Sequence, residues 1–294
     1  MTATMTAQST ATAPQPPAAI LRGLAGRAET IVTPVRGCAI HWRLWGSGRP
    51  LLLLHGNAGS WSHWARNIPF LARGHRVIAV DIPGFGDSGM PPEPYSADSI
   101  AALLREGLPA LAIGDAPLRI VGFSFGSSVA GALAKQLGPQ AAILVVVSAG
   151  HLRLSKAAIP PFASWRKLSD PAARRQAHRR NLEVMMISRP ERIDDLAIEI
   201  QSENTAKARL AGEKVTGPHP LRDDLTRLAC PFSGIWGAQD RTIGPHMPER
   251  LALFAALGRA GHAHVIADAG HWHPYEAADA FNRRLAGVLA EAGR

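Results

Sequence analysis

Cysteine is nearly missing from this chain. Two thiols, Cys38 and Cys230, stand far apart in 294 residues, which excludes a disulfide framework and a Cys-based zinc site and fits a reducing cytoplasm. Long apolar runs are also missing. Leu51 to Leu54 and Ala142 to Val147 are strand-sized, far below the roughly 20 residues that span a bilayer, so no membrane partner is expected. Met1 to Ala19 has no basic start followed by an apolar block and does not read as a secretory leader. It is built from Thr, Ala, Gln and Pro, and residues 1–29 are expected to be a disordered tail. No dinucleotide fingerprint is present, since Gly84-Phe85-Gly86 is a bare loop pair, and no metal-ligand spacing occurs. Neither cofactor nor metal is therefore expected. No internal repeat has a solenoid period.

Aromatics make up only 6% of the residues, and none interleaves with the densest basic run, Arg174-Arg175-Gln176-Ala177-His178-Arg179-Arg180. The net charge of +9 raises the question of nucleic acid, but without a stacking platform this run reads as a solvated helix face. No nucleic-acid partner is expected. The oligomeric state is left open by the sequence, a homodimer included.

What the chain does have is 46% hydrophobic residues, ample for a core, in a length that suits one large α/β domain with an insertion or two small domains. Strand-like and helix-like segments alternate from Thr30 to Val147, and the strands lack polar alternation, as in a parallel sheet buried on both faces. Thr30–Val35 and Ala39–Trp45 open the series, joined at Arg36-Gly37, and Trp61–Arg73 has helical spacing. After Gly150 the rhythm stops, resuming at Pro231. We expect residues 30–150 and 228–294 to form one α/β core and residues 151–227 a helical cap.

The most informative stretch is Gly122-Phe123-Ser124-Phe125-Gly126. It lies between an apolar strand and a small-residue helix, so Ser124 sits at the apex of a sharp strand-to-helix turn. Such a turn exposes the hydroxyl, and its flanking glycines keep side chains out of the bend. Ligands of parallel sheets collect at the carboxyl ends of strands, where three further features fall: His55-Gly56-Asn57, Asp240 and His271. The chain order Ser, Asp, His suits a nucleophile, an orienting carboxylate and a base. Asp268 and His273 are the rivals of Asp240 and His271. Backbone N–H groups of Asn57 and Phe125 are the candidate oxyanion donors, while His55 reads as a brace for its loop. Phe123, Phe125, Phe162 and Trp165 are candidates to line an apolar cleft for a small-molecule substrate, although core packing is the commoner use of each.

From about Val35 to Leu289 the chain resembles the α/β-hydrolase family. The resemblance rests on His55-Gly56, Asp81-Ile82-Pro83-Gly84-Phe85-Gly86-Asp87-Ser88, Gly122 to Gly126, Trp236 to Arg241 and Gly270-His271. It implies a mostly parallel sheet of about eight strands, a helical cap over the site and a serine hydrolase using Ser124, Asp240 and His271. The end that begins Gly270-His271-Trp272-His273-Pro274 is similar to meta-cleavage-product hydrolases, which cut a carbon–carbon bond. That likeness adds Trp272 as a pocket residue. Two positions depart from the pattern: Phe123 stands where those enzymes carry Asn, and Gln201 falls where they carry a substrate-gripping Arg, with Lys207 and Arg209 as basic neighbours. His55-Gly56-Asn57 is also similar to haloalkane dehalogenases, but those need a carboxylate where this chain has Ser124. A carboxylic ester is the expected substrate class, carbon–carbon cleavage the alternative. A ligand-binding protein on the same fold is the alternative of another class.

Overall fold

The computed structural model describes residues 15–210, 215, 221–257 and 262–291. Eight strands form one sheet in the order β1-β2-β4-β3-β5-β6-β7-β8. They are β1 (Glu29–Val35), β2 (Cys38–Trp45), β3 (Arg49–Leu54), β4 (His75–Val80), β5 (Leu118–Phe123), β6 (Ala141–Val147), β7 (Phe232–Gly237) and β8 (Ala263–Ile266). β1 and β2 run antiparallel to their neighbours, and every other pairing is parallel. The β1–β2 hairpin turns at Arg36 and Gly37, both with positive φ (49° and 79°), the backbone sense that matches strand twist.

The apolar strands are explained by burial on both faces. Alternate side chains of a strand point to opposite sides. Leu52 and Leu54 accordingly enter one core cluster with Ile78, Val80, Ile120 and Val146, while Leu51 and Leu53 enter the other with Val77, Ala79, Val121 and Val145. Each of the Leu, Ile and Val side chains among these contributes about 1.5–3 kcal/mol of burial.

Two expectations need correction. The supposed tail 1–29 contains an α-helix, α1 (Pro17–Ala25), and β1 begins at Glu29; residues 1–14 lie outside the described residues. Pro17 opens α1 in its first turn, where a missing N–H costs nothing. Leu21 and Leu24 are buried, and the Trp45 indole donates to the Leu24 carbonyl at 2.9 Å. The second correction concerns 61–73, which is not one helix. A 3₁₀ turn (Trp61–Trp64), capped by Ser60, is followed by a separate short helix, α2 (Ile68–Leu71). Pro69 has no N–H for a continuous helix and restarts the winding instead.

Helices α3 (Ala97–Gly107) and α4 (Phe125–Leu137) pack together, α3 opening with a Ser96–Ser99 capping box. Between β6 and β7 no strand occurs among the described residues. This insertion carries α5 (Pro171–Asn181), a π turn (Leu182–Met186), α6 (Asp195–Lys207) and the short α7 (Leu221–Leu225). The basic run of the sequence lies on α5, all four of its arginines exposed or half-buried. Then come α8 (Met247–Ala256), α9 (His273–Glu276) and α10 (Ala278–Glu291). Among the described residues no helix is long and apolar enough to cross a membrane.

Candidate active site

The site sits at the carboxyl edge of the sheet, where β3, β5, β7 and β8 each end in a loop. Ser124 follows β5 directly and has φ 52° and ψ −117°, a backbone conformation that costs an L-residue about 1–3 kcal/mol and persists only when its surroundings enforce it. They do so here. Ser124 N–H donates to the Val147 carbonyl (2.7 Å), and the Ser127 hydroxyl donates to the Gly122 carbonyl (2.6 Å). The flanking glycines are required by space. A Cβ on Gly122 would lie 2.7 Å from Ala130 Cβ, and one on Gly126 would collide with the carbonyl oxygens of Leu54 (2.6 Å) and His55.

His271 Nε2 lies 3.0 Å from Ser124 Oγ, and its Nδ1 lies 2.8 Å from Asp240 Oδ2. Asp240 and His271 are buried, while Ser124 is half-exposed to a cavity. The other carboxylate oxygen, Asp240 Oδ1, accepts from the Thr242 N–H (2.9 Å) and hydroxyl (2.7 Å). Burial alone would raise the Asp240 carboxyl. The nearby His271 and the two Thr242 donors outweigh it and hold the group below the usual carboxylate range. Asp240 is therefore ionised at neutral pH, and a carboxylate facing Nδ1 keeps the proton there, leaving Nε2 free to accept.

The rivals fall away on geometry. Asp268 is exposed and pairs with Arg189 at 2.8 Å. His273 is fully buried, and desolvation, opposed by Asp240 and reinforced by His271, lowers it to about 3, so its ring stays neutral and out of reach of solvent. His55 is buried too. Its Nδ1–H donates to the Gly56 carbonyl (2.7 Å) and its Nε2 accepts from the Ile82 N–H (2.9 Å), which braces the loop that carries Asn57.

Asn57 and Phe125 line the same cavity as Ser124. Phe125 is the first residue of α4, whose opening N–H groups have no partner inside the helix and carry its positive dipole end. The Asn57 side-chain carbonyl accepts from the Ala58 N–H at 3.0 Å, which ties it to its own loop.

A model of the alpha/beta hydrolase family matches residues 51–284. The chain belongs to that family. A 2-hydroxy-6-oxo-6-phenylhexa-2,4-dienoate hydrolase of Comamonas testosteroni is 27% identical over 259 residues, covering 83% of this chain and 88% of that protein. A 2-hydroxy-6-oxononadienedioate/2-hydroxy-6-oxononatrienedioate hydrolase of Escherichia coli (strain K12) is 29% identical over 269 residues, covering 85% and 91%. Among solved structures, an esterase from Rhodococcus sp. superimposes with a TM-score of 0.71 at 19% identity over 90% of this chain and 98% of its own.

Within this alpha/beta hydrolase, two cavities of about 380 Å³ each flank the centre and share Asn57 and Met185. One is walled by the insertion, including Phe162, Trp165, Met186 and Gln201, together with His63. The other holds Ser124, Phe125 and His271. Phe123 and Trp272 line neither and are 1% and 0% exposed, so they are not pocket residues. Phe123 shares the face of β5 with Val121 and stands behind the His271 imidazole, its ring centroid 5.3 Å from that ring's. Trp272 is drawn under by its indole N–H, which donates to the His63 carbonyl (3.0 Å), and it stacks on Tyr275 at 4.3 Å. Lys207 and Arg209 also stay outside both cavities. Lys207 pairs with Asp87 (2.7 Å), and Arg209 donates to the carbonyls of Gly86 and Ser88.

Sequence reasoning missed Thr242 and Glu276. Thr242, two residues past Asp240, was legible as an Asx-turn partner. Glu276 accepts four hydrogen bonds, from Gly270 N–H (2.7 Å), Ser188 N–H (3.1 Å), the Ser188 hydroxyl (2.7 Å) and Arg189 N–H (2.9 Å), and nothing local marks it for that task. Among the described residues no cluster of His, Cys, Asp or Glu is placed to hold a metal ion.

Proposed function

We propose that the protein is a serine hydrolase of small carbonyl substrates, carboxylic esters first, with Ser124 as nucleophile, His271 as base and Asp240 as its orienting carboxylate. The reading is carried by one observation: a strained serine at a cavity wall, 3.0 Å from an imidazole whose other nitrogen is 2.8 Å from a buried carboxylate. In this mechanism Ser124 Oγ attacks the carbonyl carbon as Nε2 takes its proton. The oxyanion is met by the Phe125 and Asn57 N–H groups, each such donor contributing about a hundred- to thousandfold in rate. The imidazolium then protonates the leaving group, and water repeats the sequence to release the acid. Residues 151–227 serve as the cap, their aromatic and Met side chains receiving the apolar part of the substrate.

Carbon–carbon cleavage is the second reading. It is favoured by the names of the relatives from Comamonas testosteroni and Escherichia coli. Against it stand Phe123, which is buried, and Gln201, which brings no charge to the cap wall.

A fluorophosphonate probe should label the folded protein once, at Ser124, and Ser124→Ala should abolish labelling. Turnover of 4-nitrophenyl acetate is then compared with that of a coloured ring-fission dienoate. Turnover of the dienoate alone refutes the ester preference, and a folded protein that resists the probe refutes the hydrolase mechanism.

A further inference from the structure

The two cavities differ in charge. Among the described residues on the wall of the Phe162–Trp165 cavity the one charged residue is Arg166, and its guanidinium is occupied: it donates to the Thr205 carbonyl (3.0 Å) and lies 4.6 Å over the Trp165 ring. The cavity on the Ser124 side has Lys156, Arg250 and His151 on its wall and, among the described residues, no carboxylate.

Two of these three groups are also committed. Arg250 is buried, and its guanidinium donates to the carbonyls of His246 (2.9 Å) and Ser155 (2.5 Å). His151 meets the Ser128 hydroxyl at 3.1 Å, and burial, with Lys156 adding to it, lowers its pKa and keeps the ring uncharged near neutral pH. Lys156 is different. Among the described residues it makes no ion pair, and its side chain is exposed.

Its backbone is nonetheless fixed. On one side, Ser155 N–H donates to Glu249 Oε2 (2.9 Å) while the Ser155 carbonyl receives Arg250. On the other, Ala157 N–H donates to the Thr242 carbonyl (3.0 Å), on the loop that also carries Asp240. Both neighbours of Lys156 are thus bound to the core in a stretch with no helix or strand of its own. A flexible cation on a stationary base is held at the mouth of the reaction centre.

We propose that Lys156 is a specificity residue: it selects carbonyl substrates that carry a carboxylate in the part lying in the Ser124-side cavity, with the uncharged remainder in the Phe162–Trp165 cavity. This rests on the reading of Ser124 as nucleophile. An ammonium is a compact charge that reaches a carboxylate from several directions, so the preference is for charge rather than for one fixed orientation.

The test compares 4-nitrophenyl hydrogen glutarate (anion on the acyl half) and 4-carboxyphenyl butyrate (anion on the leaving half) with neutral 4-nitrophenyl butyrate. The measured quantity is the kcat/KM ratio of the better anionic ester to the neutral one. In Lys156→Ala this ratio falls about five- to tenfold, the size of a charge-assisted contact discounted for exposure, and the loss appears in KM. Lys156→Glu lowers it further, Lys156→Arg restores it, and added salt shrinks the wild-type preference. Fluorophosphonate labelling of Ser124 is followed in every protein. Labelling with the same ratio in wild type and variants overturns the role of Lys156 and leaves the hydrolase reading standing. Absence of labelling in the wild type overturns both.

Discussion

Asp240→Asn is the most demanding perturbation of the site, because the structure fixes which way the new amide must point. In the wild type, Oδ1 accepts two hydrogen bonds from Thr242 and Oδ2 accepts one from His271 Nδ1. An amide has one acceptor oxygen and one donor NH2. With its oxygen on Thr242, two good hydrogen bonds survive and the NH2 faces Nδ1. The imidazole must then accept at Nδ1 and carry its proton on Nε2, where it cannot take the serine proton. With the amide reversed, the ring keeps its useful tautomer, but the NH2 is driven against the Thr242 N–H and the Thr242 hydroxyl must turn round to accept, an unsatisfied buried group costing about 1–3 kcal/mol. The first orientation wins. We expect kcat to fall about 10³–10⁴-fold, the scale of the same change in the chymotrypsin triad, which is the reference case for this magnitude. Folding stability should change by less than about 2 kcal/mol. The assays are ester turnover, the rate of fluorophosphonate labelling, and ¹⁵N chemical shifts of the His271 ring, which report the tautomer directly. Activity within tenfold of wild type, with the Nδ1–H tautomer retained, would refute the reasoning.

Two further outcomes follow from burial and space. His273 is held near a pKa of about 3 in the fold against about 6.5 in an unfolded chain. The unfolded state therefore binds the extra proton between those values, so the stability this group confers is complete above pH 6.5 and drains away on acidification, by about 2 kcal/mol at pH 5. Urea titrations should show a shallower loss between pH 6.5 and 5 in His273→Phe, and an identical pH slope would contradict the assignment. Gly126→Ala places a methyl against the carbonyls of Leu54 and His55, backbone atoms that have no room to retreat. A loss of at least about 3 kcal/mol is expected in thermal or urea unfolding, and a melting temperature within 2 °C of wild type (about the shift of 1 kcal/mol) would mean the turn is looser than the structure has it.

The parts of the fold that were legible in the sequence are those governed by a single dominant force. Leu51 to Leu54 has no polar residue on either face, and only a strand covered on both sides accounts for that. Parallel strands end on one edge of their sheet, so Ser124, Asp240 and His271, each just past a strand, could be placed together without coordinates. The misreadings arose where two forces compete. In α1 only Leu21 and Leu24 are buried, too few to stand out from a Pro- and Ala-rich segment. Periodicity ran through 61–73, but Pro69 broke the winding. Phe123 was counted as a pocket residue as an aromatic suited to an apolar cleft, and Trp272 from the likeness to meta-cleavage-product hydrolases, whereas strand alternation turns one away and an indole hydrogen bond pulls the other under. Lys156 and Glu276 carried no signal, since their settings are made by partners about 90 residues distant, Glu249 and Ser188.

The Glu276 carboxylate has a mechanical consequence. It grips the turn just ahead of His271 with one oxygen and the Ser188–Arg189 stretch of the insertion with both. The Trp272 N–H adds a bond to the Met186 carbonyl at 2.7 Å. The insertion is in effect riveted to the core near its midpoint, next to the imidazole. Rotating it as one rigid flap would tear at the turn that carries His271. Entry of a guest has accordingly to leave this rivet, and the turn that carries His271, in place.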